Sequence, residues 1–401
     1  MLQSFQVKDR NVILRVDFNV PIKNGVIQDE TRIVKTLPTI QYLIQQGARI
    51  IILSHLGRPL KELLPDGSIN YGKFSLQPVA TKLAELLNCK VVFAKDCGDA
   101  DTLAKIQDLQ SGEILLCENT RFYKQEEKGD VDWASKLAAL GAFYINDAFG
   151  AAHREHCSTA TIARFFDKEH KAFGFLMQKE VENGLRVLQN PQRPMTAIIG
   201  GAKVSDKIEL ISSLMDFCDQ ILIGGGMAYT FLHALGYRIG NSLCELDKMD
   251  LAKSLIEKAQ AKNVQLVLPE DSVSGQSFAN DTNIQISADQ NIPDGYMGLD
   301  IGPNTIKTYT QLILNSKTII WNGPMGVFEM EHFSKGTQTI AEAVAQATQQ
   351  GAYSLIGGGD SVAAINKYQL QDQVSFVSTG GGAMLEMLEG KQLPGVQAIL
   401  N

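Results

Sequence analysis

Four glycine turns in the second half of the chain have the residue types to hold an anion. Tyr353 to Ala363 reads YSLIGGGDSVA, an apolar strand running into Gly357, Gly358 and Gly359 and then Asp360 and Ser361, which can cap a following helix. The related turns are AIIGGAKVSDK ending at Lys207, ILIGGGMAYTF at 221–231 and VSTGGGAMLE at 377–386. Backbone N–H groups converging after a strand suit a phosphate. One triplet is equally a tight turn, because glycine is the default wherever φ must be positive; four at strand ends favour the anion. Lys203 and Lys207 follow Gly200-Gly201, and a helix expected from near Ser205 would add its N-terminus to the β and γ phosphates of a nucleotide. The spacing is neither Gly-x4-Gly-Lys-Ser/Thr nor Gly-x-Gly-x-x-Gly. Asp360 can be a helix cap, a magnesium ligand, or both.

The first half gathers cations. In ILRVDFNVP a strand would place Arg15, Asp17 and Asn19 on one face and Val16, Phe18 and Val20 on the other. Later strand ends carry Ser54-His55-Leu56-Gly57-Arg58, Glu118-Asn119-Thr120-Arg121, and Asp147 with His153-Arg154. Arg32 completes the set. Ligands bind outside the carboxyl ends of open parallel sheets, and guanidinium forks match phosphate or carboxylate oxygens in pairs, so the implied ligand is a small polyanion. Each arginine alone would read as a solvated surface group. Two further segments stay open: Gly298 to Pro303 could let backbone approach a flat ring or be a plain turn, and Trp321 to Glu329 offers an apolar surface for a base and a carboxylate for ribose hydroxyls, or an ordinary loop.

These residues need a scaffold that repeats strand and helix. Strands are expected at Val12–Phe18, Arg49–Ser54, Lys90–Phe93, Glu113–Cys117 and Ala142–Asn146, with amphipathic helices at Thr31–Gln46 and Leu76–Leu87 between them. A helix over Gln178–Gln189, stopped by Pro191 and Pro194, connects to a second series: Met195–Ile199, Gln220–Ile223, Val264–Leu268, Thr318–Trp321, Ser354–Ile356 and Ser375–Val377. The alternation predicts parallel sheets covered by helices. At 401 residues the chain has room for two domains, and 44% hydrophobic with 20% charged residues reads as soluble and globular. A formal net charge of −7 argues against general nucleic-acid or membrane binding. The start lacks a signal-peptide core and the six cysteines have no Cys-x-x-Cys pair, so the expectation is a reduced, cytoplasmic protein.

The ordered motifs RVDFNVP, SHLGRP, ENTRF, NDAFGAAHR, GGAKVSDKI, GGGMAYTF, MGLDIGP, WNGPMGVFE, GGGDS, STGGGA and LEGKQLPG span nearly the whole chain and resemble the phosphoglycerate kinase family. The resemblance implies an α/β fold of two Rossmann-like domains with parallel sheets, joined by a helix across a hinged cleft. The first, residues 1–175 with about 385–401 packing back on it, would bind 3-phosphoglycerate or 1,3-bisphosphoglycerate. The second, residues 176–384, would bind Mg²⁺ with ATP or ADP. Asp17, Phe18, Asn19, Arg32, His55, Leu56, Gly57, Arg58, Arg121 and Arg154 match the family's substrate site. Lys207, Gly298, Asn322, Glu329, Gly358, Gly359, Asp360 and Ser361 match its nucleotide site, with Asp360 facing the metal, and Arg32, Lys203 and Gly381 are the implied catalytic groups. The resemblance further implies a monomer with no nucleic-acid or membrane partner. Departures are small: Glu155 and Cys157 stand where small residues are common, and Ser361 replaces a frequent threonine. The rivals are a dinucleotide-dependent oxidoreductase, against which the missing Gly-x-Gly-x-x-Gly counts, and a non-catalytic binding protein on the same fold.

Overall fold

The computed structural model describes residues 2–401. Their contacts form two compact units, residues 2–182 with Gln392–Asn401, and Asn183–Lys391. In the first unit the strands are β1 (Asn11–Arg15), β2 (Ile22–Lys23), β3 (Val26–Ile27), β4 (Arg49–Leu53), β5 (Val91–Ala94), β6 (Ile114–Cys117), β7 (Phe143–Asn146) and β8 (Lys171–Phe173). Six form a sheet in the order β5-β6-β4-β1-β7-β8, parallel throughout. Alternation divides each strand between two cores: Val12, Leu14, Ile50, Ile52, Ile114 and Leu116 pack on one face, and Ile13, Ile51, Leu53, Leu115, Cys117 and Tyr144 on the other. The chain adds β4, β5 and β6 on one side of β1 before crossing to β7 and β8. That reversal opens a crevice at the carboxyl ends beside β1. Gln392–Asn401 belongs to this unit through Gly395 N–H, which donates to Ala152 O at 2.8 Å, and Ile399, which enters the core.

In the second unit β9 (Met195–Ile199), β10 (Gln220–Ile223), β11 (Gln265–Val267), β15 (Thr318–Asn322), β16 (Tyr353–Ile356) and β17 (Phe376–Val377) form a parallel sheet ordered β11-β10-β9-β15-β16-β17. Between β11 and β15 run β12 (Ser272–Gly275), β13 (Ile284–Ile286) and β14 (Met297–Ile301), a separate antiparallel sheet that the repeating strand–helix reading does not contain. Its strands are 4, 3 and 5 residues long, and Ile284–Ile286 is exposed throughout, so hydrophobic alternation gives it no signature.

The helix Phe175–Gln189 starts three residues before the expected Gln178, because Phe175 N–H finds Thr39 Oγ1 at 2.9 Å and Met177 N–H finds Asp147 Oδ1 at 2.9 Å. Glycine at 184 answers a packing need: a β-carbon there would lie 2.7 Å from Met387 Sδ.

Candidate active site

In the first unit β1 stops at Arg15 rather than continuing through Phe18, yet Val16, Phe18 and Val20 still point into the core. Phe18 N–H donates to Ser54 Oγ at 2.9 Å, so the extended segment is pinned without a ladder. Asp17 and Asn19 lie opposite the buried row. Arg32, on the first turn of the helix Thr31–Gln45, places Nη1 3.1 Å from both Asp17 oxygens and from Asn19 O. Asn19 Oδ1 accepts Gly57 N–H at 2.8 Å.

The segment His55–Arg58 is held from β6 as well. Asn119 accepts Leu56 N–H at 3.1 Å and donates to Leu56 O at 2.7 Å, and Arg121 Nη1 donates to Gly57 O at 2.8 Å. Arg58 is exposed, and Arg154 is half-buried just after the turn Phe149–Ala151. Arg15 is wholly buried, with Nε 2.7 Å from Ser158 Oγ and Nη2 3.1 Å from His55 Nδ1. Two acids that the sequence groups here do other work. Glu118 accepts Leu76 N–H and Ser75 Oγ–H at 2.8 and 2.7 Å at the start of the helix Gln77–Leu87, and Asp147 caps Phe175–Gln189.

The electrostatics confirm crowding by positive charge. Burial, then Arg121, Arg15 and Arg32, hold the His55 imidazole well below the usual histidine range, so it is neutral at pH 7. Burial with the fields of Arg121, Arg15 and Arg154 brings His156 down to about 3. Arg121 itself is lowered to about 10 by burial, against the attraction of Glu127. Arg121 Nε and His156 Nδ1 are buried without a hydrogen-bond partner.

In the second unit the glycine turns meet at the carboxyl ends of β9, β15 and β16. Gly200 N–H donates to Asn322 O at 2.9 Å, and a β-carbon on Gly323 would lie 2.2 Å from Gly200 O, so these turns touch backbone to backbone. Asn322 ties them together: its Oδ1 accepts the Lys207 ammonium and its Nδ2 donates to Gly357 O at 2.7 Å. Burial pushes Lys207 below the usual lysine range, and Asp360 opposes the shift. Gly358 adopts φ +89°, and a β-carbon there would meet Asn322 Nδ2 at 2.4 Å. Gly359 opens the helix Gly359–Lys367. Lys203 and Asp360 are exposed beside these turns. Gly381, at φ +51°, precedes the helix Gly382–Leu388.

Several expectations need correcting. Neither Asp360 nor Ser361 caps its helix; Ser361 is buried and its Oγ accepts Gly323 N–H instead. The helix after Lys203 begins at Ile208, because Glu245 takes Ser205 N–H and Oγ–H and holds that residue in the turn. Trp321 offers no surface to a base: it is fully buried and its Nε1–H donates to Gly323 O at 2.8 Å. Gly298 lies in β14 rather than a loop, and a β-carbon there would sit 1.9 Å from Tyr229 Oη. Glu329 is exposed, next to Phe328 whose carbonyl accepts the Lys367 ammonium at 2.6 Å. Asn119, already among the strand-end residues inside ENTRF, supports the first cluster, and Glu126 and Ser158, which no local pattern marks, support it as well.

A cation cluster in one Rossmann-like unit and a glycine-lined cradle in the other define an α/β enzyme class that handles phosphorylated ligands at strand carboxyl ends. The sequence profile of the family described as phosphoglycerate kinase matches residues 2–391. Phosphoglycerate kinase of Clostridium novyi is 48% identical over 400 residues, 99% of this chain and 98% of that one. "Phosphoglycerate kinase 3, cytosolic" of Arabidopsis thaliana is 50% identical, covering 99% and 97%. The solved phosphoglycerate kinase of Coxiella burnetii superposes with a TM-score of 0.88 at 44% identity, covering 100% and 98% of the two chains. The chain belongs to the phosphoglycerate kinase family, kinases that transfer phosphate to a carboxyl acceptor.

Proposed function

We propose that the first unit holds 3-phosphoglycerate or 1,3-bisphosphoglycerate through Asp17, Phe18, Asn19, Arg32, His55, Leu56, Gly57, Arg58, Arg121 and Arg154. The second holds ATP or ADP through Lys207, Gly298, Asn322, Glu329 and Gly358–Ser361. The observation that carries the substrate assignment is the gathering of Arg15, Arg32, Arg121 and Arg154 around two buried imidazoles, His55 and His156, which burial and those guanidinium charges keep neutral at pH 7. Guanidinium charges of one sign gathered around neutral imidazoles favour an anion.

Asp360 fits a magnesium ion that arrives on the nucleotide. Its carboxylate is exposed at a helix start beside Gly358, and among the described residues no three acidic, histidine or cysteine side chains cluster to make an all-protein cage. Magnesium, when bound, neutralises charge on the phosphate oxygens.

A carboxylate oxygen of 3-phosphoglycerate is already a nucleophile at neutral pH, so no general base is needed. It attacks the γ-phosphorus in line, the bond to the ADP oxygen breaks, and 1,3-bisphosphoglycerate leaves with the phosphoryl group. Arg32, Lys203 and the backbone at Gly381 neutralise the equatorial oxygens of the transferring group, without a phosphoenzyme. Each ligand belongs to one unit, and transfer requires that water be excluded from the phosphoryl group. The enzyme works as a monomer in the cytoplasm, which its six free thiols suit. Among the described residues no helix is long and apolar enough to cross a membrane.

Calorimetric titration tests the division. Magnesium should strengthen ATP binding to the wild type and do little for Asp360→Ala, while 3-phosphoglycerate binding ignores magnesium in both. An Asp360→Ala protein with unchanged magnesium-dependent ATP affinity would reduce Asp360 to a bystander.

A further inference from the structure

Behind the cation cluster lies a buried relay with a determinate hydrogen-bond direction. Glu126, in the turn Glu126–Lys128, is fully buried, and Ser158 supplies both of its contacts: Ser158 N–H reaches Oε2 at 3.1 Å and Ser158 Oγ–H reaches Oε1. A carboxylate only accepts, so the single hydroxyl proton of Ser158 goes to Glu126. The lone pairs left on Oγ then accept Arg15 Nε–H at 2.7 Å. Arginine only donates, so where Arg15 Nη2 meets His55 Nδ1 at 3.1 Å, Nδ1 must be the acceptor. A neutral imidazole accepting at Nδ1 carries its proton on Nε2. That nitrogen lies 3.9 Å from Asp17 Oδ1, too far for a hydrogen bond, and Asp17 is already engaged by Arg32.

We propose that Glu126 is a positioning residue: through Ser158 and Arg15 it fixes His55 as the Nε2–H tautomer, so that the site presents a neutral N–H donor to its anion. This rests on reading the cluster as the phosphoglycerate site. Burial pushes the Glu126 carboxyl up, while Arg15, the two Ser158 hydrogen bonds and Arg121 pull it back toward the charged form that a fully buried Arg15 requires. An uncharged amide in its place would turn an NH₂ toward the Ser158 donors. The hydroxyl would rotate, Arg15 would lose its acceptor, and the hold on His55 Nδ1 would slacken.

Long-range ¹H–¹⁵N correlation on the ligand-free protein, labelled at its six histidines, reads the tautomer directly. The His55 signals are identified by their loss in His55→Gln. The expected wild-type pattern at pH 7 is a pyridine-like Nδ1 and a pyrrole-like Nε2. A proton on Nδ1, or an imidazolium, overturns the proposal whether or not any variant folds. In Glu126→Gln and in Ser158→Ala the two nitrogens should move toward an averaged position. The KM for 3-phosphoglycerate should rise about ten-fold, with the KM for ATP and kcat within about two-fold of wild type. A raised KM beside an unchanged His55 spectrum would show ordinary loss of packing and refute the relay. The spectrum needs no substrate, so failure of 3-phosphoglycerate to bind would count against the site assignment alone.

Discussion

Lys203 and Arg58 are both exposed cations, and the account gives them different work. Lys203, beside the first glycine turn, is assigned to charge that develops as the phosphoryl group moves. Lys203→Ala should therefore lower kcat by about 10²- to 10⁴-fold with modest change in either KM. Steady-state kinetics with each substrate varied would check this, and near wild-type turnover would remove the lysine from catalysis. Arg58→Ala should instead raise the KM for 3-phosphoglycerate and leave ATP binding intact, because one anion contact is lost from one unit. Equal weakening of both ligands would contradict the assignment. At this scale residue types led to two groups that the structure assembles, Asp17, Asn19, Arg32 and His55–Arg58 in one unit and Lys207 with the glycine turns in the other. They misled for Trp321, Glu118 and Asp147, where an amphipathic or acidic side chain serves the core or a helix end. The Glu126–Ser158–Arg15 relay joins positions 32 and 143 residues apart, a separation that no local pattern reveals.

Eleven strands of the two parallel sheets were legible from their apolar runs, two with unchanged ends and the others shifted by one to three residues, whereas Lys171–Phe173 and the short pair Ile22–Lys23 and Val26–Ile27 were not. Helix starts depended on partners far along the chain, such as Glu245 for Ser205 and Thr39 for Phe175. The antiparallel sheet was not legible, yet it carries Gly298. Gly298→Ala would drive a methyl into Tyr229 and should cost about 1–3 kcal/mol of stability in urea unfolding, together with weaker ATP binding. Wild-type stability would show that the strand yields. The turn carrying His156 gives a pH dependence. Its pKa falls from the ordinary 6.5 to about 3 on folding, so the unfolded chain binds more protons in that window. This contribution is complete above about pH 6.5 and is lost as pH falls toward 3. Asp147, raised to about 6 by burial, slopes the opposite way, so the test is a difference between proteins. Between pH 7 and 4.5, His156→Gln should lose less urea resistance than the wild type; parallel losses would refute the assignment.

At the scale of the whole molecule, the order β11-β10-β9-β15-β16-β17 places the turns after β9 and β15 side by side where the strand order reverses. The first sheet reverses at β1, beside Asp17 and Arg15. One reversal is lined by cations and the other by glycine amides; the repeated strand–helix pattern and the ordered motifs made the parallel sheets and these two residue sets legible. Sheet order itself is set by long-range pairing and was not. The central claim is transfer of phosphate between a nucleotide and the carboxyl of phosphoglycerate, and a coupled spectrophotometric assay tests it most directly. Purified protein with 3-phosphoglycerate, ATP and magnesium should form 1,3-bisphosphoglycerate, read as NADH consumption by an added dehydrogenase. Activity should vanish when either substrate is omitted and fall about 10²- to 10⁴-fold in Lys203→Ala. Consumption that persists without 3-phosphoglycerate, or a folded protein with no turnover, would contradict the account.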